Sequence, residues 1–191
     1  EGVDIANQKL LKQMKGRPPK ETEEISKSYN ELLKNGFIAP LNTLSDDIQA
    51  HIHNNGIQHF IPNTMAYKDS SHSTKVRICL DATRRTGQGA ALNSQLLRGS
   101  STYSMVKSLI HFRRGKLGLS CDISKFYNRL YLDPQHYNLH LSLWRPDMNP
   151  NSNPEIFVLL RHFYGVSSTA AVMLACMDGA AAAATNLGMD D

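Results

Sequence analysis

One carboxylate, Asp122, is set by its neighbours where it could hold a divalent cation. It closes the stretch Leu117-Gly-Leu-Ser-Cys-Asp122 and is followed by Ile123-Ser-Lys-Phe-Tyr127. Leu117, Leu119 and Cys121 share one parity, and Gly118, Ser120 and Asp122 the other. That alternation predicts a short strand burying one face and presenting Asp122 on the opposite one. A carboxylate there suits a hard cation, which prefers oxygen ligands. Asp is also a frequent turn former, so an Asp122 that only starts the next turn fits the stretch equally well.

Cationic side chains supply the second candidate chemistry. Arg84-Arg85-Thr-Gly-Gln-Gly89 is a basic, glycine-containing loop that either cradles phosphates or is an ordinary turn. Arg113-Arg114-Gly115-Lys116 follows a helical pattern, where basic residues favour the helix dipole without any ligand. The formal net charge of +4 is permissive for nucleic acid and does not by itself require it. Cys79, Cys121 and Cys176 are far apart, odd in number and in apolar contexts, which predicts reduced core thiols in an intracellular, cytoplasmic protein. The eight histidines, His51 and His53 included, have no zinc-ligand spacing.

The elements that must position these groups show in the periodicities. Hydrophobic residues make up 41% and charged residues 20% of the 191, enough for one domain with a real core. Ile5, Leu10, Leu11 and Met14 have helical spacing, and Gly16-Arg-Pro-Pro19 breaks the helix as a linker. Ile25, Tyr29, Leu32 and Leu33 predict a helix over 20–34 that stops at Asn35-Gly36. Phe37 to Pro40 reads as an edge strand, and Ser45 as the cap of a helix ending before Gly56. Gln58 to Tyr67 and Lys75 to Leu80 predict a long-looped antiparallel pair. Ser104 caps a helix whose buried stripe is Met105, Val106, Leu109, Ile110 and Phe112. Strands are expected at 138–144, with Leu139, Leu141 and Leu143 on one face, and at 156–163, before a long alanine- and methionine-rich helix. This mixed order, with antiparallel neighbours, predicts an α+β fold. No apolar run is long enough to span a bilayer, so no membrane association is expected.

Three stretches in this order resemble the reverse transcriptases of long-terminal-repeat retrotransposons, most closely the BEL/Pao group. The first is His59-Phe-Ile-Pro-Asn-Thr-Met-Ala-Tyr-Lys68 with Lys75-Val-Arg77-Ile-Cys-Leu-Asp81-Ala, then Leu92-Asn93, Leu96-Leu97 and Gly99. The second is Leu119-Ser-Cys-Asp122-Ile-Ser-Lys-Phe-Tyr127, and the third is Tyr164-Gly-Val-Ser-Ser168-Thr-Ala. The resemblance covers roughly residues 30 to 177 and implies a partial right-hand polymerase, fingers and part of the palm, with residues 1–29 as a helical lead-in. It implies an RNA-directed DNA polymerase using two Mg2+ ions, an RNA or DNA template–primer, dNTPs, and the rest of a pol polyprotein as partners. By the match, Asp122 is the first metal ligand and Ile123 offers its carbonyl. Tyr127 falls where the family crowds the sugar 2′ position, with a plain core aromatic as the alternative. Lys75 and Arg77 fall on the fingers strands that meet the triphosphate, with a surface cross-strand role as the alternative for Arg77. Tyr164 and Gly165 begin the segment that packs beneath the new base pair. Asp81 is expected to hold a turn.

Two positions depart from the family pattern. Ala170 stands where the third stretch usually carries a proline, and Gly188 precedes Met189-Asp190-Asp191 where a Tyr-x-Asp-Asp turn would need tyrosine. Asp190 and Asp191 are therefore expected to be polar residues after a helix stop. Residues 30–191 are expected to be truncated before the second catalytic aspartate pair, leaving the isolated chain inactive. Two other functions stay open: a catalytically inactive nucleic-acid-binding remnant, with Arg84, Arg85, Arg113, Arg114 and Lys116 on phosphates, and an α+β module that binds a protein partner.

Overall fold

Ile25, Tyr29 and Leu32 recur at helical spacing, and helix α2 (Pro19–Lys34) buries all three. The computed structural model describes residues 2–70, 75–85, 89–99 and 104–186. Helix α1 (Gly2–Met14) buries Ala6, Leu10 and Met14 in the same core, and the break at residues 15–18 is a tight turn with Gly16 at φ 73°. Asn35 and Gly36 end α2, Gly36 at φ 63° with its N–H donating to the Leu33 carbonyl. Strand β1 (Ile38–Pro40) follows as an edge strand, as expected, then helix α3 (Asp46–Asn54) with Ser45 at its N-cap.

Strands β2 (Asn63–Tyr67) and β3 (Val76–Leu80) form an antiparallel pair in register Met65↔Ile78. Residues 58–62 do not extend that ladder. They run beside β4 (Leu141–Trp144) instead, where the Ile61 N–H donates to the Leu141 carbonyl at 2.7 Å and Phe60 bridges Leu141 in parallel. Strand β5 (Glu155–Leu159) lies between β1 and β4, antiparallel to both. The fold is therefore mixed α+β, with antiparallel sheets covered by helices. No helix among the described residues is long and apolar enough to cross a membrane.

A polar seam joins the two sheets. Asn63 donates through Nδ2 to the Leu143 carbonyl at 2.9 Å and accepts from Ser142 Oγ at 2.8 Å. All of these groups are buried, so each is matched where an orphan would be costly. Tyr29 stacks on Trp144 at 3.4 Å between ring centroids, which fixes α2 over β4.

The outer edge of β2 is covered by side chains rather than by a strand. Gln13 Oε1 accepts from the Met65 N–H at 2.7 Å, and its Nε2 donates to the Asn63 carbonyl. Arg17 donates to the Met65 carbonyl at 3.0 Å. The end of α1 and the turn after it thus satisfy backbone groups that an open edge would leave to solvent.

Several expectations fail. The strand expected at 138–144 shortens to β4, because Asp133 accepts from the Gln135 N–H and starts a 3-10 turn, Pro134–Leu139. All four β4 residues are buried, so Leu139, Leu141 and Leu143 do not define one buried face against an exposed one. Leu117 and Leu119 are 89% and 94% exposed, and 117–122 forms no strand. Alternation specifies which face a strand would bury, but a strand also needs a partner for its backbone groups, and no described strand lies beside this one. Helix α5 (Met105–Phe112) forms, its cap Ser104 accepting from the Lys107 N–H, yet none of its stripe is buried.

Candidate functional site

The third stretch crosses the end of β3 and meets residues far away in sequence. The Leu80 N–H donates to the Tyr164 carbonyl at 3.1 Å. Gly165 follows at φ 104°, and a Cβ there would lie 1.9 Å from the Leu80 carbonyl oxygen. Only glycine permits this crossing. Asn93, in the short helix α4 (Leu92–Gln95), holds the crossing from the other side. Its Nδ2 donates to the Gly165 carbonyl at 2.8 Å and its Oδ1 accepts from the Ser167 N–H at 2.8 Å. Thr169, buried, begins helix α7 (Thr169–Asn186) and donates to the Phe163 carbonyl at 3.3 Å.

Tyr164 is thereby presented half-exposed, and the Tyr127 ring meets it edge-on at 4.4 Å. Tyr127 lies in helix α6 (Phe126–Arg129), entered through Lys125 in the left-handed conformation at φ 53°. Lys125 also pairs with Glu31 of α2 at 2.9 Å, and buried Asn128 donates to the His162 carbonyl at 3.0 Å. These two contacts tie the turn after Asp122 to α2 and to the chain leaving β5.

Arg77 sits on β3 and Lys75 just before it. Arg77 stands opposite Ala66 on the outward face, with the Thr64–Cys79 pair beside it. Arg77 is exposed, with small residues opposite and to one side of it and Lys75 and Lys68 on the other.

Asp81 lies just past β3 and holds a turn, as expected. Its carboxylate accepts from Thr83 Oγ1 at 2.6 Å, and its carbonyl accepts from the Arg84 N–H at 3.2 Å. The same carboxylate pairs with Lys9 of α1 and lies 3.7 Å from Arg84. Partial burial pushes its pKa up, but the Lys9 and Thr83 hydrogen bonds and the Lys9 and Arg84 charges outweigh this and leave it below the ordinary value.

Asp122 and Ile123 lie in an exposed, strand-free segment, and Arg113, Arg114 and Lys116 are exposed after α5. No group of three or more His, Cys, Asp or Glu residues capable of holding a metal ion occurs among the described residues. Asp122 alone does not make a two-cation site, and Asp190 and Asp191 lie outside the described residues. Of the basic loop Arg84, Arg85 and Gly89 are described, and all three are exposed. The cysteines are free, but Cys121 and Cys176 are exposed and Cys79 is half-buried, so none is a core thiol.

Asn93 carries the junction although no role attached to it in the sequence beyond its place beside Leu92. Its single-residue signal is weak, because an Asn in a loop more often caps or turns. Lys9, Lys12 and Lys15 carried no expectation in the sequence, where their three-residue spacing describes only a solvated basic stretch at the end of α1 and just after it. No protein-family model matches the chain, and no curated protein is significantly similar to it.

Proposed function

We propose that this chain binds a template–primer and an incoming nucleotide, as the fingers and part of the palm of an RNA-directed DNA polymerase of the retrotransposon type. The supporting observation is the junction at the end of β3. Leu80, Asn93, Tyr164 and Gly165 come from stretches that carry the resemblance, and the fold bonds them to one another beside Tyr127. An aromatic pair at a half-exposed junction offers a stacking platform for a base. Arg77, on the outward face of the β2–β3 pair, offers a planar fork to phosphate.

In this reading Mg2+ supplies charge stabilisation for nucleotidyl transfer when the complete carboxylate set is present. Asp122 and the Ile123 carbonyl would be among its oxygen ligands once the missing carboxylates are supplied. The described residues bind and position; no bond-making step is assigned to them.

The test is anisotropy of a labelled template–primer with and without the dNTP complementary to the next template base. The complementary dNTP tightens the complex and a mismatched one does not, and Arg77→Ala and Tyr164→Ala abolish that difference. A complex indifferent to the added nucleotide sinks the proposal. That result would favour the second reading, a nucleic-acid-binding remnant gripping phosphates through Arg84, Arg85, Arg113, Arg114 and Lys116. The exposure of all five and the isolation of Asp122 speak for that alternative.

A further inference from the structure

Helix α1 brings a set of cations to one open groove that neither the aromatic junction nor β3 uses. The groove, about 480 Å³, is lined by Lys9, Lys12, Gln13, Lys15, Arg17 and Arg84. Five of these six residues are cationic and none is acidic. Two carboxylates border it: Asp81, shared by Lys9 and Arg84, and Glu21, 2.9 Å from Arg17. Lys12 and Lys15 have no acidic partner among the described residues, so the groove keeps an excess of three positive charges. Its floor is fixed, because Gln13 is bonded to Asn63 and Met65, and Arg17 to Gln13 and Met65. Cations on a fixed floor bind an anion without first losing the freedom of the segment that carries them.

We infer that this groove seats the phosphodiester backbone of a nucleic-acid strand. The linear arrangement points to a strand rather than a compact phosphate. Lys9 and Lys12 stand one helical step apart near the end of α1, about 4.5 Å along the axis, and Lys15 follows in the turn just after it. Arg84 extends the row from the loop after β3. A line of charges matches a polymer with one charge per nucleotide, and each phosphate neutralised releases condensed counterions. The proposed function supplies the identity of the polyanion, and the groove adds a second contact surface to it: residues 2–17 become part of the binding face.

The test uses the full chain and a fluorescein-labelled oligo(dT), titrated at several salt concentrations. Lys12→Glu/Lys15→Glu is expected to weaken binding about tenfold or more and to make the log K against log[salt] slope shallower by about 1.4, two single-strand phosphates at 0.7 each. Its urea midpoint falls only slightly, by the cost of placing an acid in the last turn of α1, since neither lysine has an ion pair to lose among the described residues. Lys34→Glu/Lys107→Glu makes the same change in net charge away from the groove and is expected to act less. Equal loss in both variants, or an unchanged groove variant, overturns the groove and leaves the junction at Tyr164 standing. Displacement of the oligonucleotide by equimolar inorganic tripolyphosphate overturns a strand in favour of a compact phosphate. A wild-type chain that binds neither oligo(dT) nor template–primer overturns both the groove and the proposed function.

Discussion

The side chain of Gln13 stands in for a neighbouring strand at Met65, accepting from its N–H at 2.7 Å while donating to the Asn63 carbonyl. Gln13→Ala removes both bonds and leaves two part-buried backbone groups unmatched. The expected loss is about 1–3 kcal/mol in urea unfolding. Amide exchange at Met65 should quicken more than at Leu143, which sits within the β4–β5 ladder.

Gly165 is the least replaceable residue of the junction. Gly165→Ala combines a Cβ 1.9 Å from the Leu80 oxygen with a φ of 104°, so β3 and the Tyr164 segment must separate. A loss of more than about 3 kcal/mol is expected, against about 1–2 kcal/mol for Asn93→Ala, which removes two hydrogen bonds at a wetter position. Equilibrium denaturation of both variants checks the order, and a Gly165→Ala protein as stable as wild type would refute the close approach.

Tyr29 buries a hydroxyl with no hydrogen-bond partner among the described residues, and burial holds its pKa well above the ordinary value. Tyr29→Phe keeps the ring on Trp144 and removes the unmatched group. It is expected to stabilise the protein by about 1 kcal/mol, read as a raised urea midpoint.

Acid should weaken the fold before the carboxylates titrate. Burial pushes the His140 pKa down to about 4, against a raising hydrogen bond to the His136 carbonyl and with smaller lowering contributions from His162, His136 and His59. The unfolded chain takes up this proton near pH 6.5 and the folded chain only near 4. Stability is therefore full above pH 6.5, falls as the pH drops from 6.5 to about 4, and levels below that. His140 alone contributes about 2 kcal/mol of loss between pH 7 and pH 5. His59 and His162, also lowered by burial, act in the same direction. Urea midpoints across that range check the slope, which His140→Gln should flatten.

Asp122→Asn provides the contrast. The residue is exposed, so the folded chain should keep its stability within about 0.5 kcal/mol. Template–primer affinity should also be unchanged, since the described residues bind without an assembled metal site.

Local patterns in the sequence carried the helices and most of the pairing. α2, α3, the edge position of β1 and the antiparallel β2–β3 pair all follow from apolar spacing, Asn35-Gly36 and the polar loop after Tyr67. The failures at Leu117, Leu119 and along α5 share one cause. Periodicity encodes a face but not what covers it, and nothing described covers these. The junction at Gly165 was partly legible as a glycine beside Tyr164. Its partner Asn93 was legible as a matched position beside Leu92, but the bond it makes was not, because a contact across 72 residues leaves no local periodicity.

The pairing of β1 has a consequence for the order in which the chain can fold. Ile38 lies opposite Leu159, and β1 has no other strand partner among the described residues. During synthesis, residues 37–41 therefore emerge with their apolar side chains and must wait until β5 has been made. Meanwhile α2 can form and meet β3, but Trp144 of β4, on which its Tyr29 stacks, has yet to be made. A sheet closed by its latest strand makes nucleation slow and the half-made chain prone to aggregate, so the nascent protein should depend on chaperones more than the finished one does.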